Sequence, residues 1–240
     1  MQADRLLITR PQAQSERFAQ TCQRVFGPQM QIVISPVLKI VPRRTKIDLT
    51  GLTGLIFTSE NGVRAFAALS HDRSLPAYCV GPRTADVARQ IGFRATQGTG
   101  GAEALANQIA AAPTHGPLLH VHGVTVAGDI KGVLTQRGIP VRTQVIYDQL
   151  EYPLSKAAHD LLSEPAPVLL PVFSPRTATL LLPALVPARA LLQIAAISPA
   201  VAVSLQKLHT ARIDVAAQPD GASMLTSLIG LRDGASRLER

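Results

Sequence analysis

The sequence predicts an α/β protein with two similar halves, each a parallel sheet covered by helices, and three observations predict it. Short apolar runs bounded by polar turns alternate along the chain with segments whose apolar residues recur at helical spacing. About ten such runs occur, too many for one compact sheet of ordinary size and natural for two sheets of five strands. A turn also repeats, because Gly81-Pro82-Arg83-Thr84-Ala85 and Ser174-Pro175-Arg176-Thr177-Ala178 agree at four of five places, and Ser198-Pro199-Ala200 echoes both.

In chain order, Leu6 to Thr9 reads as the first strand, and Arg10-Pro11 turns it into a helix with Phe18, Cys22, Val25 and Phe26 on its apolar face. Gly27-Pro28 stops that helix. Ile32 to Val41 is a second extended segment, in which Pro36 belongs at a sheet edge or exit. Pro42 to Thr50 is polar and basic, the composition of a crossing between domains. Gly54 to Phe66 packs a strand, a turn and a helix start together. Leu55, Ile56 and Phe57 are the buried run, Thr58 to Gly62 break it, and Val63, Phe66, Ala67 and Ser70 follow on one helical face.

Ala77 to Val80 is the next strand, followed by a turn at Gly81-Pro82 and a helix face of Thr84, Val87, Ala88 and Ile91 that Gly92 ends. Phe93 to Thr96 is a strand, and Gln97 to Gly101 leads into the helix of Leu105, Ala106 and Ile109. Leu118 to His122 is a strand, Gly123 to Asp129 its loop, and Ile130, Val133 and Leu134 its helix, closed by Gly138. Val141 to Tyr152 alternates, with Val141, Thr143, Val145 and Tyr147 on one face, and reads as a return crossing. Pro153, Pro165 and Pro167 bracket a short helix, and Val168 to Phe173 is a strand that Ser174-Pro175 turns into a Leu-rich helix. Gln193 to Ile197 is a strand, with Val201, Ala202, Leu205 and Leu208 on the helix after it. Arg212 to Ala216 is the last strand, and Met224, Leu225, Leu228 and Ile229 mark the final helix, before a polar, frayed tail from Arg232.

The chain of 240 residues carries 24 Lys and Arg against 16 Asp and Glu, a formal charge of +8, so its partner is expected to be anionic. Nucleic acid is disfavoured, since aromatics are 4%, Trp is absent and no basic run of five occurs. Arginines spread over many turns suit a small polyanion better. Cys22 and Cys79 read as buried thiols in a reducing compartment. No apolar run approaches a membrane span and the first residues show no basic-then-apolar segment, so the expectation is cytoplasmic, with no membrane partner.

Chemistry is expected where strands end and helices begin, because turn amides and the helix dipole converge there. Ser174 then Pro175 is what a helix start wants, a hydroxyl at the cap and a proline in the first turn. Capping does not account for Arg176, or for Arg83 in the matching place, since the dipole disfavours a cation in that turn. With Arg10 and Arg64 they make four basic groups at or just after strand ends. Each alone reads as a solvated surface arginine; the set is more informative. His120 and His122 share a strand face without a clear third ligand, so no metal is expected. Gly98 to Gly101 could cradle a phosphate, but no nucleotide-binding fingerprint accompanies it, and no nucleophile elbow is present. Tyr147 is the most interesting acid, although spacing alone favours a half-buried strand tyrosine.

The markers Ile8-Thr9-Arg10-Pro11, Ile56-Phe57-Thr58-Ser59 with Asn61-Gly62-Val63, Val80-Gly81 with Thr84-Ala85, Val145-Ile146-Tyr147, Phe173-Ser174-Pro175 and Ala196-Ile197-Ser198-Pro199 resemble, in order and spacing, the uroporphyrinogen-III synthase family. The likeness runs from Leu6 to about Ile229. It implies two flavodoxin-like domains, 1–36 with 152–240 and an inserted 37–151, joined by linker strands near 33–41 and 144–152 around an active-site cleft. It implies no cofactor, a monomer, and a substrate, hydroxymethylbilane, that is a linear tetrapyrrole polycarboxylate. It further allows a transient contact with hydroxymethylbilane synthase. In the family's reaction the hydroxyl leaves to give an azafulvene, and a spiro intermediate recloses with ring D inverted to uroporphyrinogen III.

Carried over by position, Tyr147 assists departure of the hydroxyl and Thr84 matches a threonine of the site. Thr58, Ser59, Asn61, Ser174 with Pro175, Gly123 and the turn amides after Gly81 and Ser198 hold carboxylates beside Arg10, Arg64, Arg83 and Arg176. The chain departs from the family at Ser198 and Val201, where Gly and Thr are frequent, and at Asp220, where Thr is common. Two other readings compete. A non-catalytic polyanion-binding module is opposed by the presence of Tyr147 and Thr84, and a nucleotide-sugar transferase by the lack of a diphosphate or metal motif.

Overall fold

The computed structural model describes residues 5–98, 101–111, 116–126, 128–208 and 212–238. The chain divides into two compact units, Met1–Lys39 with Glu151–Arg240 and, inserted between these pieces, Ile40–Leu150. In order, the elements are β1 (Arg5–Ile8), α1 (Gln12–Phe26), β2 (Gln31–Ile34), β3 (Leu38–Pro42), β4 (Gly54–Phe57), α2 (Glu60–Leu69), β5 (Ala77–Cys79), α3 (Pro82–Gln90), β6 (Ala95–Gln97) and α4 (Ala102–Ala110). There follow β7 (Leu118–Gly123), α5 (Ile130–Gln136), β8 (Val141–Glu151), α6 (Lys156–Ser163), β9 (Pro167–Val172), α7 (Pro175–Leu185), β10 (Leu191–Ala196), α8 (Pro199–Ser204), β11 (Arg212–Val215) and α9 (Gly221–Leu238).

The unit holding both ends of the chain contains a parallel sheet in the order β11-β10-β9-β1-β2. Its strands are apolar on both faces because helices cover both. Leu7, Val168, Leu170, Ile194 and Ala196 face α6, α7 and α8, while Leu6, Ile8, Leu169 and Ala195 face α1 and α9. The inserted unit repeats this division. Leu55, Phe57, Leu119 and Val121 pack under α2 and α3, and Ile56, Leu118 and Val141 pack under α4 and α5. Phe57, Phe66 and Phe93 meet there edge to face or tilted, with centroids 5.6 to 5.8 Å apart. Each such pair adds about 1 kcal/mol beyond burial.

The second sheet has six strands, β3-β8-β7-β4-β5-β6, where five were expected. The sixth comes from the ribbon of β3 and β8. The Arg43 N–H donates to the Ile146 carbonyl and the Tyr152 N–H to that of Val37, so as one strand advances the other retreats, and the pair is antiparallel.

Other differences are local. Val25 is exposed at the rim of the α1 face, whose buried centre is Phe18, Cys22 and Phe26. Ala65 rather than Ala67 is buried in α2, and Leu231 rather than Ile229 in α9. The strand expected at Phe93 starts at Ala95, and the expected tail from Arg232 is helical to Leu238. The alternation of β8 also fails. Thr143 is exposed and Val145 half-buried, whereas neighbours Ile146 and Tyr147 are both buried. His122 pairs with Val145 and Gly123 with Tyr147, so Ile146 is an inserted residue, a β-bulge that breaks the two-residue parity.

Candidate functional site

In the inserted unit the chain leaves β4 towards β5 and β6 and then returns to β7 on the other side. The ends of β4 and β7 therefore diverge at a switch point, the place where open α/β sheets bind ligands. The β4 end carries Thr58 and Ser59, and the β7 end carries His122 and Gly123. The bulge in β8 sets Tyr147 directly beside Gly123. A methyl group on Gly123 would collide with Cε2 and Cζ of the tyrosine ring, so only glycine allows that approach. The phenol then reaches Ser59, with Oγ and Oη 3.2 Å apart.

Ser59 is also the N-cap of α2, accepting from the Gly62 N–H at 3.4 Å. Gly62 lets the helix start lie close over β7, since a Cβ there would press on the Val121 carbonyl at 3.3 Å. Tyr147 is only 4% exposed. Burial raises its pKa above the ordinary value of 10.0, opposed first by the hydrogen bond with Ser59 and then by the backbone of Gly123. The phenol is thus protonated across the neutral range.

On the opposite face of β7, His120 is buried with Nε2 3.3 Å from the Thr58 hydroxyl, and its ring centroid lies 4.9 Å from that of His122. Burial, and secondarily the charge of His122, push its pKa down to about 4, so it is neutral. His122 donates from Nδ1 to the Gly123 carbonyl at 2.7 Å. No cluster suited to a metal ion occurs among the described residues.

Charge is arranged around Glu60, a buried acid in the first turn of α2 that the sequence reading passed over. Its Oε2 lies 3.6 Å from Arg64 Nε and 3.8 Å from Arg83 Nε, so two of the predicted cations share one carboxylate. The signal was local for Arg64, four residues on from Glu60, and absent for Arg83, which reaches Glu60 from the next helix. Thr84 is buried in the first turn of α3, and no hydrogen bond joins it to Tyr147 among the described residues. Gly81 precedes α3 with no side-chain cap and open space where a Cβ would stand. Asn61 lies half-buried in the first turn of α2. Residues 99 and 100 of the glycine-rich turn, and 127 of the loop after Gly123, fall outside the described residues.

The unit formed by the chain ends has its own switch point, between β1 and β9. Arg10 follows β1 and Phe173 follows β9, and the guanidinium stacks 3.9 Å from the ring centroid. Ser174 caps α7 by accepting from the Thr177 N–H at 3.1 Å, and donates to the Thr177 hydroxyl at 2.9 Å. Pro175 is the exposed first residue of that helix, and Arg176 lies 4.0 Å from Glu151. Ser198 begins α8 without making a side-chain cap. The predicted site residues are therefore gathered at the strand ends of two units, nine in the inserted unit and five in the other.

The sequence profile of the family described as Uroporphyrinogen-III synthase HemD matches residues 19–226. Among curated proteins none matches. Among solved structures, a uroporphyrinogen-III synthetase from Helicobacter pylori is 16% identical with a TM-score of 0.68, over 95% of this chain and 100% of that one. A mutant uroporphyrinogen III synthase from Thermus thermophilus is also 16% identical, with a TM-score of 0.49 over 97% of this chain and 100% of that one. At such identity the Helicobacter structure bears on the fold alone.

Proposed function

The chain belongs to the uroporphyrinogen-III synthase family and acts as a synthase that closes hydroxymethylbilane to uroporphyrinogen III; we propose the following division of labour among its residues. One observation carries the assignment: a buried phenol, Tyr147, held by a serine hydroxyl at the switch-point edge of a parallel sheet. The phenol gives its proton to the departing hydroxyl, which leaves as water. A phenol with a raised pKa is a weak acid at neutral pH, so proton donation supplies the smaller share of the acceleration. Holding the linear tetrapyrrole so that its terminal rings meet supplies the larger share.

Carboxylate recognition falls to Arg64 and Arg83, tethered by Glu60, to the uncapped first turn of α3 after Gly81, and to Thr58 and Asn61. Thr84 orients substrate from that same first turn. On the other unit we assign Arg10, Ser174, Pro175, Arg176 and the turn at Ser198 to further carboxylates. Stacking on Phe173 fixes the Arg10 guanidinium and leaves its charge intact. Because many weak contacts share the binding, single changes at polar residues other than Tyr147 should leave measurable turnover. We assign the enzyme to the cyclising hydro-lyases, working without a cofactor as a monomer in the cytoplasm and meeting hydroxymethylbilane synthase transiently. Two buried free thiols and a formal charge of +8 support that setting and an anionic substrate.

The test is a coupled assay in which a deaminase generates hydroxymethylbilane in place and the oxidised porphyrin isomers are separated by chromatography. Isomer III in excess over the enzyme-free control is the expected result. Isomer I alone, the product of spontaneous closure, would overturn the proposal.

A further inference from the structure

The sequence reading counts Ser59 among the groups that hold substrate carboxylates, but its hydroxyl is already engaged on both sides. Its Oγ accepts from the Gly62 N–H at the start of α2 and stands 3.2 Å from the Tyr147 phenol oxygen. An oxygen that accepts from a helix amide still carries a proton that it can donate to the neighbour beyond, so a chain of donors from Gly62 N–H through Ser59 O–H to Tyr147 is available. This chain starts at the positive end of the α2 dipole. Glu60, the next residue, does not oppose it with an unanswered negative charge, because Arg64 and Arg83 lie beside its carboxylate.

We propose that Ser59 is a positioning residue for Tyr147: its hydroxyl holds the phenol over Gly123 and donates to the phenolate oxygen when the tyrosine proton leaves. The inference rests on the reading of Tyr147 as proton donor. The balance of the step explains why such a donor is needed. The substrate C–O bond breaks, its oxygen departs as water with the Tyr147 proton, and the pyrrole electrons form the azafulvene. A buried phenolate remains until the pyrrole that reacts at closure gives up a proton to it. A charge at a site 4% exposed is costly without a hydrogen-bond donor, and Ser59 is the hydroxyl in contact.

The variants are Ser59→Gly, which removes the hydroxyl while glycine keeps most of a helix cap, and Ser59→Thr, which restores it. Both are made with Tyr78→Phe and Tyr152→Phe, so that Tyr147 is the remaining tyrosine, and with fluorinated tyrosine, whose phenol titrates nearer neutrality. Ser59→Gly is expected to shift the tyrosinate absorbance titration to higher pH and to lower kcat about tenfold with KM within about twofold, and Ser59→Thr to reverse both. A rise in KM with kcat and titration unchanged would make Ser59 a carboxylate contact and overturn the inference. So would a variant unchanged in titration and kinetics. Should Tyr147→Phe retain full kcat, the proton-donor reading fails, and the titration alone still decides whether Ser59 supports the phenolate.

Discussion

Two helix starts with nearly the same sequence are finished differently in the two units. At α7, Ser174 turns its hydroxyl onto the amide and the hydroxyl of Thr177, so that the first turn is satisfied from within the chain. At α3 the corresponding residue is Gly81, which caps nothing, and the matching threonine, Thr84, is buried without that partner. Both turns carry an arginine at the second helical position, yet Arg83 lies by a buried acid and Arg176 by an exposed one, Glu151. The same pentad is thus capped by its own hydroxyl in one unit and left open in the other, where we propose that it takes a substrate carboxylate. The acid chemistry proposed for Tyr147 falls in the same unit as the open turn, since Tyr147 and Ser59 belong to the inserted unit.

The largest effect that would break this asymmetry is loss of the phenol. Tyr147→Phe should lower kcat by about a hundredfold or more, the range of a lost general acid, with little change in KM and a melting temperature lowered by only a few degrees for the lost hydrogen bond with Ser59. Assay of isomer III with thermal denaturation checks it. An equal loss on removing the Ser174 hydroxyl, without unfolding, would show that the units share the chemistry evenly.

A second difference is in pH dependence, since the inserted unit holds the buried His120. Its folded pKa is about 4 against an ordinary 6.5, so in this window the unfolded chain binds the extra proton. The contribution of His120 to stability is full above about pH 6.5, drains away as pH falls, and levels off near 4. The total is on the order of 3 kcal/mol. Chemical denaturation across this range should show the slope, and His120→Gln, which keeps a hydrogen-bonding group near Thr58, should flatten it.

The sequence made the architecture legible because parallel strands buried on both faces leave apolar runs that helices interrupt, and Leu55 to Phe57 or Val168 to Val172 show this without ambiguity. It did not reveal the bulge, because Val145-Ile146-Tyr147 reads as plain alternation and an inserted residue appears only in the pairing with β7. That is why Tyr147 looked half-buried from its spacing. The Ser59 contact spans 88 residues and the Glu60 bridge to Arg83 joins two helices, and local spacing carries no record of either. The open and closed caps were visible as Gly81 and Ser174. What closes the second turn, the Ser174 hydroxyl on the Thr177 amide and hydroxyl, shows only in the structure.

A charge placed at the open turn separates its two roles. Gly81→Asp should cap α3, since a Cβ there meets nothing within 4 Å, and raise stability by about 1 kcal/mol. The same carboxylate would repel a polycarboxylate substrate, so KM should rise about tenfold, a Coulombic cost of roughly 1 to 2 kcal/mol. A stabilised variant with unchanged KM would remove this turn from substrate binding.

The smallest effect comes from exchanging the caps without adding charge. Gly81→Ser imports the cap of α7, and Ser174→Gly exports the openness of α3. The serine hydroxyl at 81 would compete with substrate for one first-turn amide, so KM should rise about twofold to threefold while stability rises by a few tenths of a kcal/mol. Ser174→Gly should cost a few tenths of a kcal/mol and leave the Thr177 hydroxyl without its partner. KM should rise if the Ser174 hydroxyl holds a carboxylate as assigned; if α7 is only a structural cap, KM is unchanged, and if its amides take a carboxylate once freed, KM falls. Steady-state kinetics on this pair therefore measures whether the closed turn is inert or a latent copy of the open one.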